Sequence, residues 1–235
     1  MNKLIVVTGG TKGIGRALIA RFLAEGFDAA TCSRNPQDLE QLKEEMAVSF
    51  PTSQVHALPA DLSGREEVMQ FAEFVKGIDK PVEILVNNTG IFIPGMIHQE
   101  EEGVLEAMMN TNLYSAYHLT RALVAEMIER KQGDIFNICS VASIRAYPNG
   151  GSYSISKFAL LGFSKVLREE LKEHGIRVAA ILPGATLTAS WEGVALPAER
   201  FMKPEDVAEA IWSATRLSRQ SVVEEIIIRP QLGDL

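Results

Sequence analysis

Short apolar runs alternate along the chain with longer segments in which apolar residues recur every three or four positions. The short runs are typical of parallel strands covered on both faces, and the longer segments are typical of amphipathic helices. We predict strands at residues 4–7, 28–32, 54–58, 82–86, 134–140, 177–182 and 222–228. This alternation indicates an α/β fold: one Rossmann-type domain over residues 1–235, with a doubly wound, mainly parallel seven-stranded sheet and helices on both faces.

The segments between the strands predict helices at residues 16–25, 36–49, 64–76, 101–130 and 153–173, and a last helix that begins at Pro204. Glycines follow three of these helices, as is common at helix ends. They are Gly26, Gly133 and Gly175.

Residues 189–203 are irregular and partly apolar, and they include Trp191 and Phe201. We predict that this segment is a lid over the substrate. The cofactor half of the domain is then expected at about residues 1–133, and the catalytic and substrate half at about residues 134–235.

Tyr153 and Lys157 lie at the start of the helix predicted after the fifth strand. Side chains four residues apart share one face of a helix, so the phenol and the ammonium are expected side by side. A neighbouring cation favours the phenolate, and we expect it to lower the pKa of Tyr153 from the usual value of about 10. Ser140 ends the preceding strand, where its hydroxyl can reach the substrate oxygen that Tyr153 protonates. Together the three residues predict acid–base catalysis.

A glycine-rich turn, Gly9-x-x-x-Gly13-x-Gly15, joins the first strand to the first helix. Glycines at such a turn let the backbone approach a pyrophosphate, and the N-terminus of the helix then supplies N–H donors. The turn therefore predicts a dinucleotide site.

The second strand ends in Ser33-Arg34-Asn35, without the acidic residue that would bind the ribose 2′-hydroxyl of NAD. Lys12 adds a second cation inside the glycine turn. Two cations that converge on a 2′-phosphate predict a preference for NADP(H).

Ser140, Tyr153 and Lys157 resemble the catalytic set of the short-chain dehydrogenase/reductase family. Further motifs follow the family's order: the glycine turn, Asp61-Leu62, Asn87-Asn-Thr-Gly90, Asn112 and Pro183-Gly184. The agreement extends from residue 4 to about residue 188.

The resemblance implies reversible hydride transfer between NADP(H) and a small carbonyl compound. Tyr153 would give or take the proton, Lys157 would lower its pKa and hold the ribose, and Ser140 would fix the carbonyl oxygen. Asn112 would distort its helix locally and support a water relay.

The resemblance also implies which residues bind the cofactor. Asp61 would contact the adenine amino group, Leu62 would pack on the adenine ring, and Pro183-Gly184 would hold the nicotinamide amide. The full predicted set is Gly9, Thr11, Lys12, Gly13, Ile14, Gly15, Ser33, Arg34, Asn35, Asp61, Leu62, Asn88, Thr89, Gly90, Tyr153, Lys157, Pro183, Gly184, Thr186 and Thr188. Thr89 and Ser115 stand where relatives usually have Ala and Gly.

The formal net charge is −7 and no basic block occurs, so we expect neither nucleic acid nor an anionic membrane as a partner. No apolar run approaches the ~20 residues of a membrane helix. Cys32 and Cys139 fall near the ends of predicted buried strands and are interpreted as core residues, and the four histidines lack metal-ligand spacing. These features predict a cytoplasmic, metal-free enzyme. Family members commonly pair through their two long helices, so the resemblance implies a homodimer or homotetramer.

The substrate is indicated by the C-terminal stretch at residues 222–234 and the short lid around Trp191, which together resemble those of bacterial sepiapterin reductases in this family. That resemblance implies a pteridine side-chain ketone or a similar small carbonyl compound.

Two alternatives remain open. A 3-oxoacyl-[acyl-carrier-protein] reductase would dock its acidic partner at Lys131 and His174, but His174 lies among Glu169, Glu170 and Glu173, which should repel that partner. A non-catalytic NADP-sensing regulator of the same fold would usually lack the tyrosine or the lysine.

Overall fold

The strands form the centre of the computed structural model, which describes residues 3–188 and 196–234. In chain order, β1 to β7 are Leu4–Thr8, Asp28–Ser33, Val55–Pro59, Val82–Asn87, Gly133–Ile138, Ile176–Pro183 and Glu225–Ile228. They make one seven-stranded sheet in the order β3-β2-β1-β4-β5-β6-β7. Every neighbouring pair is parallel. The predicted doubly wound sheet is therefore confirmed.

Helices cover both faces of this sheet. In chain order, α1 to α7 are Gly13–Leu23, Pro36–Ser49, Arg65–Lys76, Val104–Met109, Ser115–Arg130, Gly151–Leu171 and Pro204–Thr215. Alternate residues of β1 point to opposite faces, so Ile5 and Val7 pack with α1 and α7, whereas Leu4 and Val6 pack with α3, α5 and α6. All four side chains are fully buried. A layer of helices therefore lies on each side of the sheet, and both faces of its central strand β1 are shielded from solvent.

The chain changes direction across the sheet between β1 and β4. β1 pairs with β2 on one side and with β4 on the other. In open α/β sheets the crevice at such a switch point, beyond the carboxyl ends of the strands, is where ligands bind. The fold thus places the glycine turn after β1 and the loop after β4 next to each other.

The helix predicted over residues 101–130 differs from the observed structure. It begins at Val104, and a π-helical segment at Asn110–Tyr114 separates α4 from α5. α5 ends with Lys131 in the left-handed conformation (φ 50°), so Gly133 does not end the helix as predicted. Gly133 instead begins β5, where a Cβ atom would come 2.8 Å from the sulfur of Met127. Its small size serves the packing of α5 on the sheet.

The last predicted strand, residues 222–228, is shorter in the structure. β7 begins at Glu225, opposite Ala180, because it pairs only with the last residues of β6. The predicted lid at 189–203 falls partly on residues 189–195, which lie outside the described ranges together with Trp191. Ala198–Arg200 form one 3-10 turn, and Met202 makes a parallel bridge to Thr186.

The two cysteines, Cys32 and Cys139, are buried and unpaired with each other, which confirms their interpretation as core residues. Burial raises the pKa of the Cys32 thiol to about 12 and that of the Cys139 thiol to about 11, so neither is a reactive thiolate near neutral pH. Within residues 3–188 and 196–234, no three His, Cys, Asp or Glu side chains gather as a metal site. No helix in the same ranges is long and apolar enough to cross a membrane.

Candidate active site

A cavity of about 1250 Å³ opens at the carboxyl edge of the sheet, above β1, β4 and β5. It is lined by the glycine turn, the ends of β2 and β6, the loop after β4 and the start of α6. The predicted site residues line this cavity with three exceptions, which are Gly15, Asn35 and Asn112. The fold therefore brings motifs from distant parts of the sequence to one place.

The glycine turn forms a tight cradle at the start of α1. Gly9 and Gly13 have positive φ angles of 66° and 53°, which side chains rarely adopt. At Gly15 a Cβ atom would overlap the carbonyl oxygen of Gly9 and come 2.7 Å from Asn88 Nδ2. Lys12 precedes the helix without a side-chain cap, and the first turn carries no acidic residue. Uncapped N–H groups without a neighbouring carboxylate fit a pyrophosphate.

We expect Gly15→Ala to weaken NADPH binding at least about tenfold, because the added methyl displaces the turn from its binding geometry. Isothermal titration with NADPH measures this change. The matched control is Gly77→Ala at the end of α3, since Gly77 has a helical φ of −73° and a Cβ atom there comes no closer than 3.4 Å to its neighbours. That variant should keep the wild-type affinity and gain about 0.5–1 kcal/mol of stability. Equal NADPH affinities in the two variants would contradict the role of the cradle.

The end of β2 carries the predicted phosphate-binding residues. Arg34 is exposed and lines the cavity, and Ser33 lies beside it, accepting a hydrogen bond from the Thr11 hydroxyl (3.4 Å). Lys12 also lines the cavity, but its ammonium forms an ion pair with Asp38 (2.9 Å). The predicted convergence of two cations is thus modified, because Asp38 of α2 shares the charge of Lys12. Arg34 is the cation that this edge of the cavity presents most directly.

Asn35 was predicted to bind the cofactor, and the structure gives it a different role. Its side chain accepts hydrogen bonds from the backbone N–H groups of Gln37 (2.9 Å) and Asp38 (3.4 Å). It is therefore the N-cap of α2, directly before Pro36 at the first helical position. The Asn-Pro pair was a sequence signal for this cap.

The loop after β4 is tied to the end of β1. The Thr8 hydroxyl accepts from the backbone N–H groups of Asn88 and Thr89, both at 2.9 Å. The Asn88 amide donates to the carbonyl oxygens of Thr8 (2.9 Å) and Gly9 (3.1 Å). The Thr89 hydroxyl is buried at the cavity and has no hydrogen-bond partner among the described residues. A buried hydroxyl without a partner fits a wall that contacts a polar ligand.

Ser140 and Tyr153 meet at the far side of the cavity. Ser140 follows β5 and caps the short 3-10 helix Val141–Ser143, accepting a hydrogen bond from the Ala142 N–H (3.1 Å). The neighbouring Ser140 hydroxyl acts to lower the pKa of Tyr153. The structure thus places the predicted proton donor and the predicted oxygen-binding hydroxyl near each other at one cavity.

Lys157 is buried beneath this pair. Its ammonium donates to the carbonyl oxygen of Ile138 (2.8 Å) and lies 5.8 Å from the centre of the Tyr153 ring. Loss of water lowers the pKa of Lys157 to about 8. A Cβ atom at Gly90 would come 3.4 Å from this ammonium, so the glycine lets the loop after β4 pass close to it.

The predicted pKa of Tyr153 is wrong for this structure. Burial raises it to about 12, which outweighs the lowering by the neighbouring Ser140 hydroxyl. The physical reason is that removing water penalises the charged phenolate, and Lys157 directs its ammonium to a backbone carbonyl. At neutral pH the phenol therefore keeps its proton, as the predicted role of proton donor requires.

Asn112 lies in the π-helical segment, as its predicted distortion of the helix required. Its side chain accepts from the Ile91 N–H (2.7 Å) and donates to the Ile91 carbonyl oxygen (3.0 Å). It also donates to the Ser156 hydroxyl (2.9 Å), which in turn donates to the Tyr153 carbonyl oxygen (2.8 Å). The amide thus connects the loop after β4 to α6, without lining the cavity itself.

The remaining predicted residues lie at the two ends of the cavity. At one end, Asp61 accepts from the Ser63 N–H (3.0 Å) and Leu62 is buried against the sheet. At the other end, Thr186 is buried after β6, and a Cβ atom at Gly13 would come 2.9 Å from the Thr188 methyl group. The loop after β6 therefore closes over the glycine turn.

Sequence reasoning missed several residues of the cavity. Phe92 packs edge-on against Tyr153, with ring centres 4.9 Å apart. Arg145 and Tyr147 line the cavity after the 3-10 turn, and Asp234 lines it from the C-terminal segment while paired with Arg229 (3.1 Å). No local pattern marks these residues, because only the packing of distant segments brings them to the cavity.

Comparison with known proteins gives consistent matches. Residues 3–196 match the family described as short chain dehydrogenase. The sequence is 31% identical over 243 residues to a sepiapterin reductase of Chlorobaculum tepidum, covering 100% of this chain and 99% of that protein.

Two solved structures have the same fold. An alcohol dehydrogenase from the archaeon Thermococcus sibiricus, complexed with 5-hydroxy-NADP, superposes with a TM-score of 0.91 at 25% identity, covering 98% of this chain and 97% of that one. L-sorbose reductase from Gluconobacter frateurii, complexed with NADPH and L-sorbose, superposes with a TM-score of 0.89 at 25% identity, covering 97% and 95% of the two chains.

Proposed function

The chain belongs to the short-chain dehydrogenase/reductase family, and from this premise we propose that it is an NADP(H)-dependent oxidoreductase that reduces a small carbonyl compound to an alcohol. The observation that carries this proposal is that Ser140, Tyr153 and the glycine cradle line one cavity, with the Ser140 hydroxyl near enough to the phenol to act on its pKa. A protonated phenol beside a second hydroxyl is suited to bind and protonate a carbonyl oxygen.

Each catalytic residue has a defined task in the proposed reduction. NADPH, when bound, supplies the hydride. Ser140 donates a hydrogen bond to the carbonyl oxygen, and Tyr153 gives its proton to that same oxygen. The raised pKa of about 12 keeps this proton on Tyr153 at neutral pH, while an alkoxide is basic enough to accept it. Lys157 holds a cation 5.8 Å from the centre of the Tyr153 ring, and this cation would attract the phenolate once the proton has left.

NADP(H) is the cofactor that best fits the cavity. Two similar proteins, the Thermococcus sibiricus alcohol dehydrogenase and L-sorbose reductase, are complexed with 5-hydroxy-NADP and NADPH. In this chain, Arg34 at the end of β2 is available to a ribose 2′-phosphate, and Ser33 and Lys12 lie beside it.

Arg34→Asp is expected to shift the NADPH to NADH preference in kcat/KM by about a hundredfold or more, because it removes the guanidinium and adds a carboxylate that repels phosphate. Steady-state kinetics with both cofactors measure the ratio. Lys12→Ala should shift the ratio less, since Asp38 already shares its charge. Lys172→Asp makes a change of the same charge on a surface residue at the far end of α6, and it should leave the ratio unchanged. An unchanged ratio in Arg34→Asp would contradict the phosphate assignment.

The proposed substrate is a pteridine side-chain ketone or a similar small carbonyl compound. The full-length similarity to the sepiapterin reductase of Chlorobaculum tepidum supports this class. Phe92 and Tyr147 offer aromatic surface to a flat ring, and the Asp234 carboxylate offers an acceptor to ring N–H groups. NADPH consumption with sepiapterin, diacetyl and an acetoacetyl thioester tests this proposal. Turnover of the thioester alone would replace it with the lipid-enzyme alternative.

The other two candidates have less support in the structure. His174 lies in a 3-10 turn after α6, next to the acidic Glu173, which disfavours docking of an acidic carrier protein. A sensor without chemistry would bind NADPH and turn over none of the carbonyl compounds in the panel. The NADPH-consumption assay with sepiapterin, diacetyl and the acetoacetyl thioester therefore tests both alternatives.

We also propose a homodimer or homotetramer. Large apolar side chains are exposed on α5 and α6, including Tyr117, Phe158 and Val166. Exposed apolar surface on paired helices favours association with a second copy. Sedimentation velocity at working concentration distinguishes these assemblies from a monomer.

A further inference from the structure

Residues 91–100, which we call the wall segment, follow β4, and their first two residues, Ile91 and Phe92, line the cavity. Ile91 is held by two of the three hydrogen bonds of the Asn112 side chain. Phe92 packs on the Tyr153 ring, and Ile93 and Met96 are large exposed apolar residues. The segment thus contacts the proposed proton donor and is anchored at its first residue.

The last residue of the wall segment, Glu100, anchors its other end. One carboxylate oxygen of Glu100 accepts from the backbone N–H of Ser152 (2.9 Å), and the second accepts from the Ser152 hydroxyl. Between the two anchors, the Gly95 N–H donates to the Asn149 carbonyl oxygen (3.0 Å), and Gly95 bridges to Gly150. The wall segment is therefore fastened along its length to the start of α6.

Glu100 provides the side-chain cap that α6 lacks at its N-terminus. Gly150 precedes the helix and has no side chain to cap the free N–H groups. The carboxylate fills this role from another part of the chain, where a negative charge also interacts favourably with the helix dipole. The site has no room for a side chain on Gly151: a Cβ atom there would overlap Glu100 Oε1 and come 2.6 Å from the Gly95 carbonyl oxygen. A glycine at position 151 is therefore required for the backbone to pass this close to the Glu100 carboxylate.

We propose that Glu100 is a positioning residue for the reaction. It caps α6 one residue before Tyr153 and fixes the far end of the wall segment, so that the phenol and the Phe92 ring keep their relative position. A displacement of about 1 Å at a reacting group can reduce the rate a hundredfold. The kinetic part of this proposal rests on the proposed function, whereas the structural part does not.

Hydrogen exchange with mass spectrometry, paired with kinetics, tests the proposal on the full chain. Glu100→Ala should accelerate exchange about tenfold in peptides covering residues 93–100 and 150–156, because the cap and the anchor are lost together. On the carbonyl compound that wild type reduces fastest, kcat should fall about tenfold, while the NADPH Kd stays within about twofold.

Two variants serve as matched comparisons. Glu100→Gln should stay within about threefold of wild type, because its amide oxygen can accept from the Ser152 N–H and its NH₂ can donate to the Ser152 hydroxyl. Glu102→Ala removes an exposed carboxylate two residues away and should match wild type in both exchange and kcat.

Unchanged exchange in both peptides of Glu100→Ala would overturn the proposal, and so would a uniform acceleration over the whole sheet. If Glu100→Ala does not fold, the test is made with Ser152→Ala. This variant removes the hydroxyl that donates to Glu100 and keeps the Ser152 backbone N–H that also donates to it. Faster exchange confined to the two peptides then supports the proposal, and unchanged exchange rejects it. If the wild-type protein reduces none of the carbonyl compounds, the proposed function is rejected. The exchange result would still test whether Glu100 anchors the wall segment to α6.

Discussion

Replacing Tyr153 by Phe is expected to lower kcat for carbonyl reduction by about three orders of magnitude, with the NADPH Kd within about threefold of wild type. The substitution removes one hydroxyl and keeps the ring that packs on Phe92 at 4.9 Å. The carbonyl oxygen then loses its proton donor, and the alkoxide that forms must take a proton from water. Single-turnover oxidation of NADPH measures the chemical step, and a fluorescence titration measures cofactor binding.

Tyr147→Phe is the matched control for this experiment, because Tyr147 is a second phenol that lines the same cavity. It should lower kcat less than about tenfold, since its role is contact with the substrate rather than proton transfer. If the two variants lost activity equally, or if Tyr153→Phe stayed within about tenfold of wild type, Tyr153 would not be the proton donor.

Replacing Arg177 by Met is expected to lower the free energy of unfolding by about 3 kcal/mol, because it takes the bidentate, largely buried partner from a buried carboxylate and leaves it only a half-exposed one. Asp134 on β5 is only 6% exposed and stands directly opposite Arg177 on β6. Arg177 binds both of its oxygens, at 2.8 and 2.5 Å, and the half-exposed Arg219 reaches one of them at 2.8 Å. Urea denaturation followed by circular dichroism measures the change.

Two further variants show whether burial is the cause. Lys43→Met breaks an exposed ion pair with Glu40 (2.9 Å) and should lower the free energy of unfolding by less than about 0.5 kcal/mol. Removing both partners with Asp134→Leu and Arg177→Met should recover part of the loss, since no charge is then left without its main partner. A loss in Arg177→Met no larger than in Lys43→Met would contradict this account.

The strands and their order of appearance could be predicted because each is a short apolar run, and a parallel sheet requires such runs. Boundaries were harder where pairing decides them. β7 begins at Glu225 because it pairs only with the end of β6, and no residue between 222 and 225 signals this. Gly133 was interpreted as the end of a helix, although the close approach of Met127 is what requires a glycine there.

In the candidate site, too, some features could be predicted from the sequence and others depend on the packing of distant segments. Asn112 was predicted to distort its helix, and the π-helical segment confirms that distortion. Its hydrogen bonds to Ile91 could not be predicted, since they join segments with no shared pattern. Asn35 was assigned to the cofactor, whereas it caps α2.

By itself, the sequence determined the α/β alternation, the glycine turn and the choice of Ser140, Tyr153 and Lys157 as candidate catalytic residues. Periodicity and motif spacing are local properties of the chain. The tertiary structure alone decided that Lys12 pairs with Asp38, that Glu100 caps the helix of Tyr153, and that the phenol has a raised pKa. These features depend on distance and on the exclusion of water, and both arise only when segments remote in sequence pack together.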